Sequence, residues 1–204
     1  EDYPVRPDGN PYVDTKIACE QVVLQAHAAG ELAVTIVRPG DVYGPCSRPW
    51  TIVPVEAMKR NQFLLPAMGK GVFSPVYVDD LADGILLAAD NPAGAGQVFT
   101  ISGGVGVSCK EFFGYYSRML GKGKPIVVPT PVALALAGSY SNAIKLRGRR
   151  TEINPISVRY FTRTGTYSID KARRILGFEP KVGLAEGMAR TRDWLAHEGM
   201  IAEP

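Results

Sequence analysis

Asn10-Pro11-Tyr12-Val13-Asp14-Thr15-Lys16 opens a stretch that closes at Gly30, and Leu32-Ala33-Val34-Thr35-Ile36-Val37 follows almost at once. Asn is a strong N-cap, and Pro is tolerated in a first helical turn, where its missing N–H has no intrahelical role. Helix formers fill Tyr12 to Ala29 and Gly30 is a natural C-terminal stop, so the spacing predicts a helix. The β-branched, nearly all-apolar run from Leu32 to Val37 predicts a strand buried on both faces, as in parallel sheets packed between helices. Helix, short turn and buried strand form one arm of a doubly wound α/β unit. Arg38 then leads into Pro39-Gly40-Asp41-Val42-Tyr43-Gly44-Pro45, read as a loop at the carboxyl end of the strand, the edge where open α/β sheets bind ligands.

Outward from this unit, the pattern predicts a helix over Ile52 to Arg60 and a short strand over Val72 to Val78. A second helix is expected from Asp79, read as its N-cap, through Ala89, with Leu81, Ile85 and Leu86 inward. Val98 to Ser102 reads as strand, Ser108 to Leu120 as helix, and Pro125 to Pro129 as a short edge strand, since Pro is tolerated at such ends. Val132 to Leu146 reads as an apolar helix. Lys171 to Leu176, stopped by Gly177, and Leu184 to His197 complete the helices; Leu184, Met188, Trp194 and Leu195 give the last one a docking face. Residues 1–105 keep the α/β order, interleaved with other segments, and residues 106–204 read mainly as a second, smaller mixed lobe with the C-terminal helices.

The 204 residues are 46% hydrophobic and 21% charged, which excludes disordered, collagen-like and coiled-coil chains. No apolar run approaches the ~20 residues that span a bilayer. Glu1-Asp2-Tyr3-Pro4 lacks the layout of a secretory signal, and Cys19, Cys46 and Cys109 are far apart with no CxxC, so a reducing cytoplasmic setting is expected. His27 and His197, the two histidines, have no ligand-like spacing, and no metal is expected. The net charge is +3, unevenly spread: Lys122 to Lys181 holds twelve Lys/Arg against three Asp/Glu, leaving eleven against seventeen elsewhere. That half is read as a solvated basic face rather than a nucleic-acid surface.

Chemistry concentrates at Tyr12 and Lys16. Residues four apart share a helix face, so phenol and ammonium meet. A phenol ionises near 10 unless a neighbouring cation favours the phenolate, and an ammonium one turn away makes Tyr a usable acid/base near neutrality. The spacing alone also fits a surface Lys lying along a Tyr ring.

With Pro11 to Lys16 stand three further segments in order: Val37-Arg38-Pro39-Gly40-Asp41-Val42-Tyr43-Gly44-Pro45, Pro75-Val76-Tyr77-Val78-Asp79-Asp80-Leu81-Ala82-Asp83-Gly84, and Tyr167-Ser168-Ile169-Asp170-Lys171-Ala172-Arg173-Arg174-Ile175-Leu176-Gly177-Phe178. Together they resemble the extended short-chain dehydrogenase/reductases, also called NAD-dependent epimerase/dehydratases, nearest the 3β-hydroxysteroid-dehydrogenase-like and dihydroflavonol-reductase-like branch. The resemblance covers nearly the whole chain. It implies the C-terminal part of a Rossmann-like doubly wound parallel sheet plus a small mixed α/β substrate lobe. It also implies NAD or NADP as cofactor and a small-molecule substrate, with Tyr12 as acid/base and Lys16 on the nicotinamide ribose. Pro39 and Val42 would meet the nicotinamide end, Asp41 would contact substrate, and a homodimer would form through the Tyr12 helix.

Relatives begin with a strand, a Gly-x-x-Gly-x-x-Gly turn and a helix that holds the pyrophosphate, and carry a Ser/Thr partner for the catalytic Tyr. Neither is found upstream of Tyr12 here, so the chain is expected to be a C-terminal portion of a longer enzyme, inactive alone. Two enzymatic readings stay open, a dehydrogenase of an apolar, hydroxysteroid-like secondary alcohol or ketone and a nucleotide-sugar epimerase or dehydratase. The third is a non-catalytic binding module. Gly103-Gly104-Val105-Gly106 imitates a nucleotide-binding turn but lacks the third glycine, where Cys109 stands, and reads as a tight strand-to-helix turn. Arg147-Gly148-Arg149-Arg150 after the apolar helix resembles a basic amphipathic membrane or nucleic-acid contact, with an exposed basic helix end preferred; in the nucleotide-sugar reading the same arginines would meet the phosphates. Phe112, Phe113, Tyr115 and Tyr116 read as core.

Overall fold

The Asn10 side chain accepts the Tyr12 backbone N–H at 3.0 Å and starts helix α1, Pro11–Ala28, as the Asn-Pro pair dictates. The computed structural model describes residues 5–7, 10–149, 151 and 154–203. After α1 come strands β1 (Ile36–Pro39) and β2 (Asp41–Tyr43), a π-helical turn over Arg48–Ile52 running into α2 (Val53–Lys59), and strands β3 (Leu64–Leu65), β4 (Val72–Phe73) and β5 (Pro75–Tyr77). Helix α3 (Val78–Asp90), β6 (Val98–Ile101), β7 (Val107–Ser108), α4 (Cys109–Met119) and β8 (Ile126–Val127) follow. The chain finishes with α5 (Thr130–Leu146), α6 (Pro155–Tyr160), α7 (Asp170–Leu176) and α8 (Leu184–His197). Strands β1 and β6, β2 and β5, and β3 and β8 pair in parallel; β4 and β7 pair antiparallel. This is the α/β class expected.

Gly40 decides how the central strands run. The Gly40 amide donates to the Ile101 carbonyl at 2.8 Å, and the next amide, Asp41, donates to the Ser74 carbonyl at 2.8 Å. The chain therefore changes partner at this residue, from β6 to β5. A Cβ at position 40 would lie 2.7 Å from the Ser74 carbonyl oxygen and 2.8 Å from Ser102 Cβ, so only glycine lets the backbones come this close. The expected loop from Pro39 to Pro45 is corrected here: Asp41–Tyr43 is strand, and the Gly marks a bend inside it rather than a turn.

Two further expectations change. The strand predicted over Leu32 to Val37 begins only at Ile36, and Leu32 is exposed. Ile36, Val37 and Arg38 are half-buried and Pro39 is exposed, so β1 is not buried on both faces; among the described residues it pairs with β6. Helix α3 starts at Val78 with Tyr77 in the cap position, and Asp79 sits exposed in its first turn rather than capping it. Its buried face is Asp80, Gly84 and Ala88, while Ile85 and Leu86 are exposed. The small residues face inward because Ile101 and Phe178 close on the helix: a Cβ at Gly84 would meet Ile101 Cγ2 at 2.8 Å.

Two clusters form the core. One is aromatic, built from Tyr43, Phe73, Tyr77, Phe112, Phe113 and Tyr116 with Met188 and Leu195 of α8. The other packs Phe99 and Ile101 of β6 against Ala88 of α3 and against Ile169, Ala172, Leu176 and Phe178 around α7. Phe112, Phe113 and Tyr116 of α4 are buried as expected, Tyr115 is only half-buried against them, and α8 docks as predicted.

Candidate active site

Two contacts orient α1. Glu20 accepts from Arg38 of β1 through both oxygens, Nε to Oε1 at 2.9 Å and Nη2 to Oε2 at 2.6 Å. Seven residues later His27 crowds Gly96, where a Cβ would stand 2.6 Å from the ring nitrogen Nε2. Gly96 precedes β6, and Ile36 is paired with Val98, so this contact lies at the amino edge of the strands, whereas Arg38 lies near the carboxyl end of β1. Helix α1 thus runs antiparallel to the strands, with its N-terminus at the carboxyl edge.

Tyr12, Lys16 and Glu20 stand at i, i+4 and i+8, one row along the helix. At 1.5 Å per residue, Tyr12 sits ~12 Å beyond Glu20, past the carboxyl end of β1. The Lys16 ammonium is 5.8 Å from the centroid of the Tyr12 ring, and Tyr12 is 71% exposed. Pro39 ends β1 and Val42 is half-buried in β2, both at the edge toward which the row leads. No hydrogen bond or ion pair joins Tyr12 or Lys16 to Pro39, Asp41 or Val42 among the described residues.

Asp41 is turned into the protein, 1% exposed. Its carboxylate accepts the Ser74 amide at 2.8 Å, the Arg163 guanidinium Nη2 at 2.9 Å and the Tyr160 hydroxyl. Burial pushes the Tyr160 phenol above its ordinary range, and the Asp41 charge adds to this, so Tyr160 remains a donor. Desolvation opposes the charge on Arg163, but the Asp41 carboxylate outweighs it and holds the guanidinium protonated. The Arg163 Cζ also lies over the Tyr160 ring, 3.8 Å from its centroid, and Arg163 donates to the Tyr167 hydroxyl at 2.8 Å. Trp50 stacks on Tyr160 with ring centroids 5.1 Å apart and meets Phe73 edge-on at 5.0 Å. The result is an aromatic wall beside the carboxyl edge, pinned by one buried ion pair.

A family model described as the NAD dependent epimerase/dehydratase family matches residues 1–102, which hold the α1 row and every strand of the edge. The chain belongs to that family. It is 27% identical to the sterol-4-alpha-carboxylate 3-dehydrogenase (decarboxylating) of Saccharomyces cerevisiae, over 90% of this chain and 56% of that protein. It is 30% identical to a dTDP-glucose 4,6-dehydratase of Streptomyces griseus, over 95% of this chain and 52% of that protein. Among solved structures, the dTDP-glucose 4,6-dehydratase of Streptomyces venezuelae, with NAD bound, superposes with a TM-score of 0.69 at 25% identity, covering 99% of this chain and 56% of that one. The chain spans about half the length of the curated relatives it matches.

Elsewhere in this epimerase/dehydratase chain, the glycines at 103–106 serve packing. A Cβ at Gly104 would meet the Ile169 side chain at 2.9 Å, and one at Gly106 would meet Val72 and Thr166 within 2.9 Å. The helix they lead into, α4, is capped by its own Ser108, which accepts the Glu111 amide at 3.1 Å. The expected strand-to-helix turn is corrected: the glycines join β6 to the two-residue strand β7, Val107–Ser108, and α4 follows directly on that strand. Tyr160 and Arg163 were not picked out from the sequence. Asn154-Pro155 repeats the Asn10-Pro11 signature and does start α6, whose last residue is Tyr160, so that helix was legible. Its contact with Asp41 was not, because 119 residues separate them.

Proposed function

We propose that the protein of which this chain is a part is an NAD- or NADP-dependent oxidoreductase acting on a secondary alcohol or ketone with an apolar, hydroxysteroid-like body. The observation that carries the reading is the Tyr12–Lys16 row, aimed by the Glu20–Arg38 ion pair past the carboxyl end of β1. Tyr12 gives or takes the proton of the substrate oxygen. A cation beside the ring stabilises negative charge on the phenolic oxygen, which is the role of Lys16, together with a hydrogen bond to the cofactor ribose. When bound, the nicotinamide supplies or accepts the hydride. Pro39 and Val42 offer it apolar surface, and an exposed phenol and ammonium at an open sheet edge fit that group.

The rival substrate class is the nucleotide sugar, favoured by the likeness to the dTDP-glucose 4,6-dehydratases. A diphosphate calls for uncompensated cations at the edge. Arg163, the guanidinium in the wall described above, already has its charge matched by buried Asp41, and its neighbours Trp50, Tyr160 and Phe161 are aromatic. Both features support the apolar alcohol. Asp41, with its carboxylate engaged by three donors, acts in this reading by holding the wall rather than by touching substrate.

Replacing Tyr12 by Phe in the full-length protein tests the assignment. Turnover should fall by about a hundredfold or more, the usual contribution of a general acid/base, while NADH binding followed by fluorescence stays within about twofold. Unchanged turnover removes Tyr12 from the mechanism. Assaying hydroxysteroids beside nucleotide sugars decides between the two substrate classes.

A further inference from the structure

Helix α5 buries its small residues and exposes its large ones. Ala133, Ala137 and Ser141 face the protein, where α5 packs on α6. Val132, Leu136 and Tyr140 are each about half exposed, and Leu146 is 89% exposed. The first three stand at i, i+4 and i+8, so they form one outward row along the helix. Ile156 of α6 is exposed as well. A helix that fills its inner contact with Ala and Ser, and presents Val, Leu and Tyr outward, has its larger apolar face uncovered.

The charges around this face carry one sign. From Pro125 to Thr151 the sequence contains Lys145, Arg147, Arg149 and Arg150 and no Asp or Glu. Lys145, Arg147 and Arg149 are exposed, and among the described residues none is in ion-pair contact with a carboxylate. Arg38, Arg163, Arg173, Lys181 and Arg190, by contrast, each pair with one. A second copy of the chain would bring the same cations, and no carboxylate from this segment, to the contact. An anionic lipid surface meets both features at once, its acyl boundary taking the apolar row and its headgroup phosphates the basic end. The 17 residues of α5 form a rod ~25 Å long, suited to lying in the interface. No helix among the described residues is long and apolar enough to cross a membrane.

We propose that α5 is the face by which the protein docks onto anionic lipid, with Val132, Leu136, Tyr140 and Leu146 in the headgroup–acyl boundary and Lys145, Arg147 and Arg149 on the phosphates. The test is co-sedimentation of the full-length protein with vesicles of phosphatidylcholine alone and of phosphatidylcholine mixed with phosphatidylglycerol. Binding should be confined to the mixed vesicles and be reversed by salt. Arg147→Glu and Arg149→Glu should each weaken it by about fivefold or more. Leu136→Ser with Tyr140→Ser should weaken it by about tenfold or more with the charge unchanged. These substitutions lie on exposed positions, and circular dichroism of every variant should match the parent. Equal partitioning to both vesicle types, no partitioning, or insensitivity to the Leu136/Tyr140 pair overturns the proposal. So does light scattering that shows a dimer dissociated by Leu136→Ser, which would give the face to a second copy.

Discussion

At position 41 the chain places an acid on the segment that ends at the carboxyl edge of the sheet, and the fold turns that acid inward. Three donors converge on it, the Ser74 amide, the Tyr160 hydroxyl and the Arg163 guanidinium, from residues 33, 119 and 122 positions away. An ion pair this buried contributes little net stability when intact, because desolvation offsets much of the attraction. Removing one partner, however, strands the other charge. Asp41→Ala should therefore destabilise the protein by about 3 kcal/mol, and adding Arg163→Met should recover part of that loss. Urea midpoints of the two single variants and the double variant measure it; strictly additive losses would show that the two groups are uncoupled. The same residue marks the limit of reading a site from sequence. Tyr12 and Lys16 could be found because their relation is a four-residue spacing within one helix. The partners of Asp41 are set by tertiary contacts across more than half the chain, and no local pattern announces them.

Helix α8 carries a similar lesson at the level of the element. Its bounds, Leu184–His197, and its docking face follow from the periodicity of its apolar residues. What the periodicity does not reveal is why Gly187 lies inside a helix, where Gly is unfavourable by about 1 kcal/mol relative to Ala. A Cβ there would overlap the Tyr43 hydroxyl and stand 2.9 Å from its Cζ. Tyr43 is fully packed and its hydroxyl has no hydrogen-bond partner among the described residues, so it has nowhere to retreat. Gly187→Ala should thus destabilise by about 2 kcal/mol despite the better helix former, as overpacking does. Tyr43→Phe should relieve part of that loss in the same background, which thermal midpoints of the two variants and their combination would show. A loss unaffected by Tyr43→Phe would place the strain elsewhere. Caps and stops were similarly legible at Asn10 for α1, Ser108 for α4 and Gly177, at φ 66°, for the end of α7, whereas α3 starts at Val78 without the expected Asp79 cap. The two-residue strands β3 and β7 and the bend at Gly40 were not. They are fixed by backbone pairing between distant segments, and two or three residues are too few to carry a period.

Across the whole molecule, the core is unusually phenolic, and this fixes the pH at which it fails. Tyr43 and Tyr116 are buried in the aromatic cluster, and burial holds both phenols protonated well above their ordinary value of 10.0. Cys109, at the start of α4 under the same cluster, has its thiol pushed up from 9.0 to about 12 by burial. For such acids the neutral form is the one the fold accepts. Below about pH 8 each is protonated whether the chain is folded or not, and the shift has no effect on stability. Above 10 the unfolded chain releases these protons while the native state keeps them, so the unfolded state binds fewer and stability falls with rising pH. Tyr160, raised by burial and by the Asp41 charge, behaves likewise. Each group contributes about 1.4 kcal/mol per pH unit, and the four together about 5 kcal/mol per unit between pH 10 and 12. Set against a typical total of 5–15 kcal/mol, that is enough to unfold a domain within about one to three units above pH 10. Urea midpoints should be level from pH 7 to 8 and drop steeply beyond 10. Tyrosinate absorbance should show the buried phenols ionising with unfolding rather than before it. Phe at position 116 should make the alkaline drop shallower by about a quarter, and a midpoint still level at pH 11 would mean that the native core already admits the phenolates.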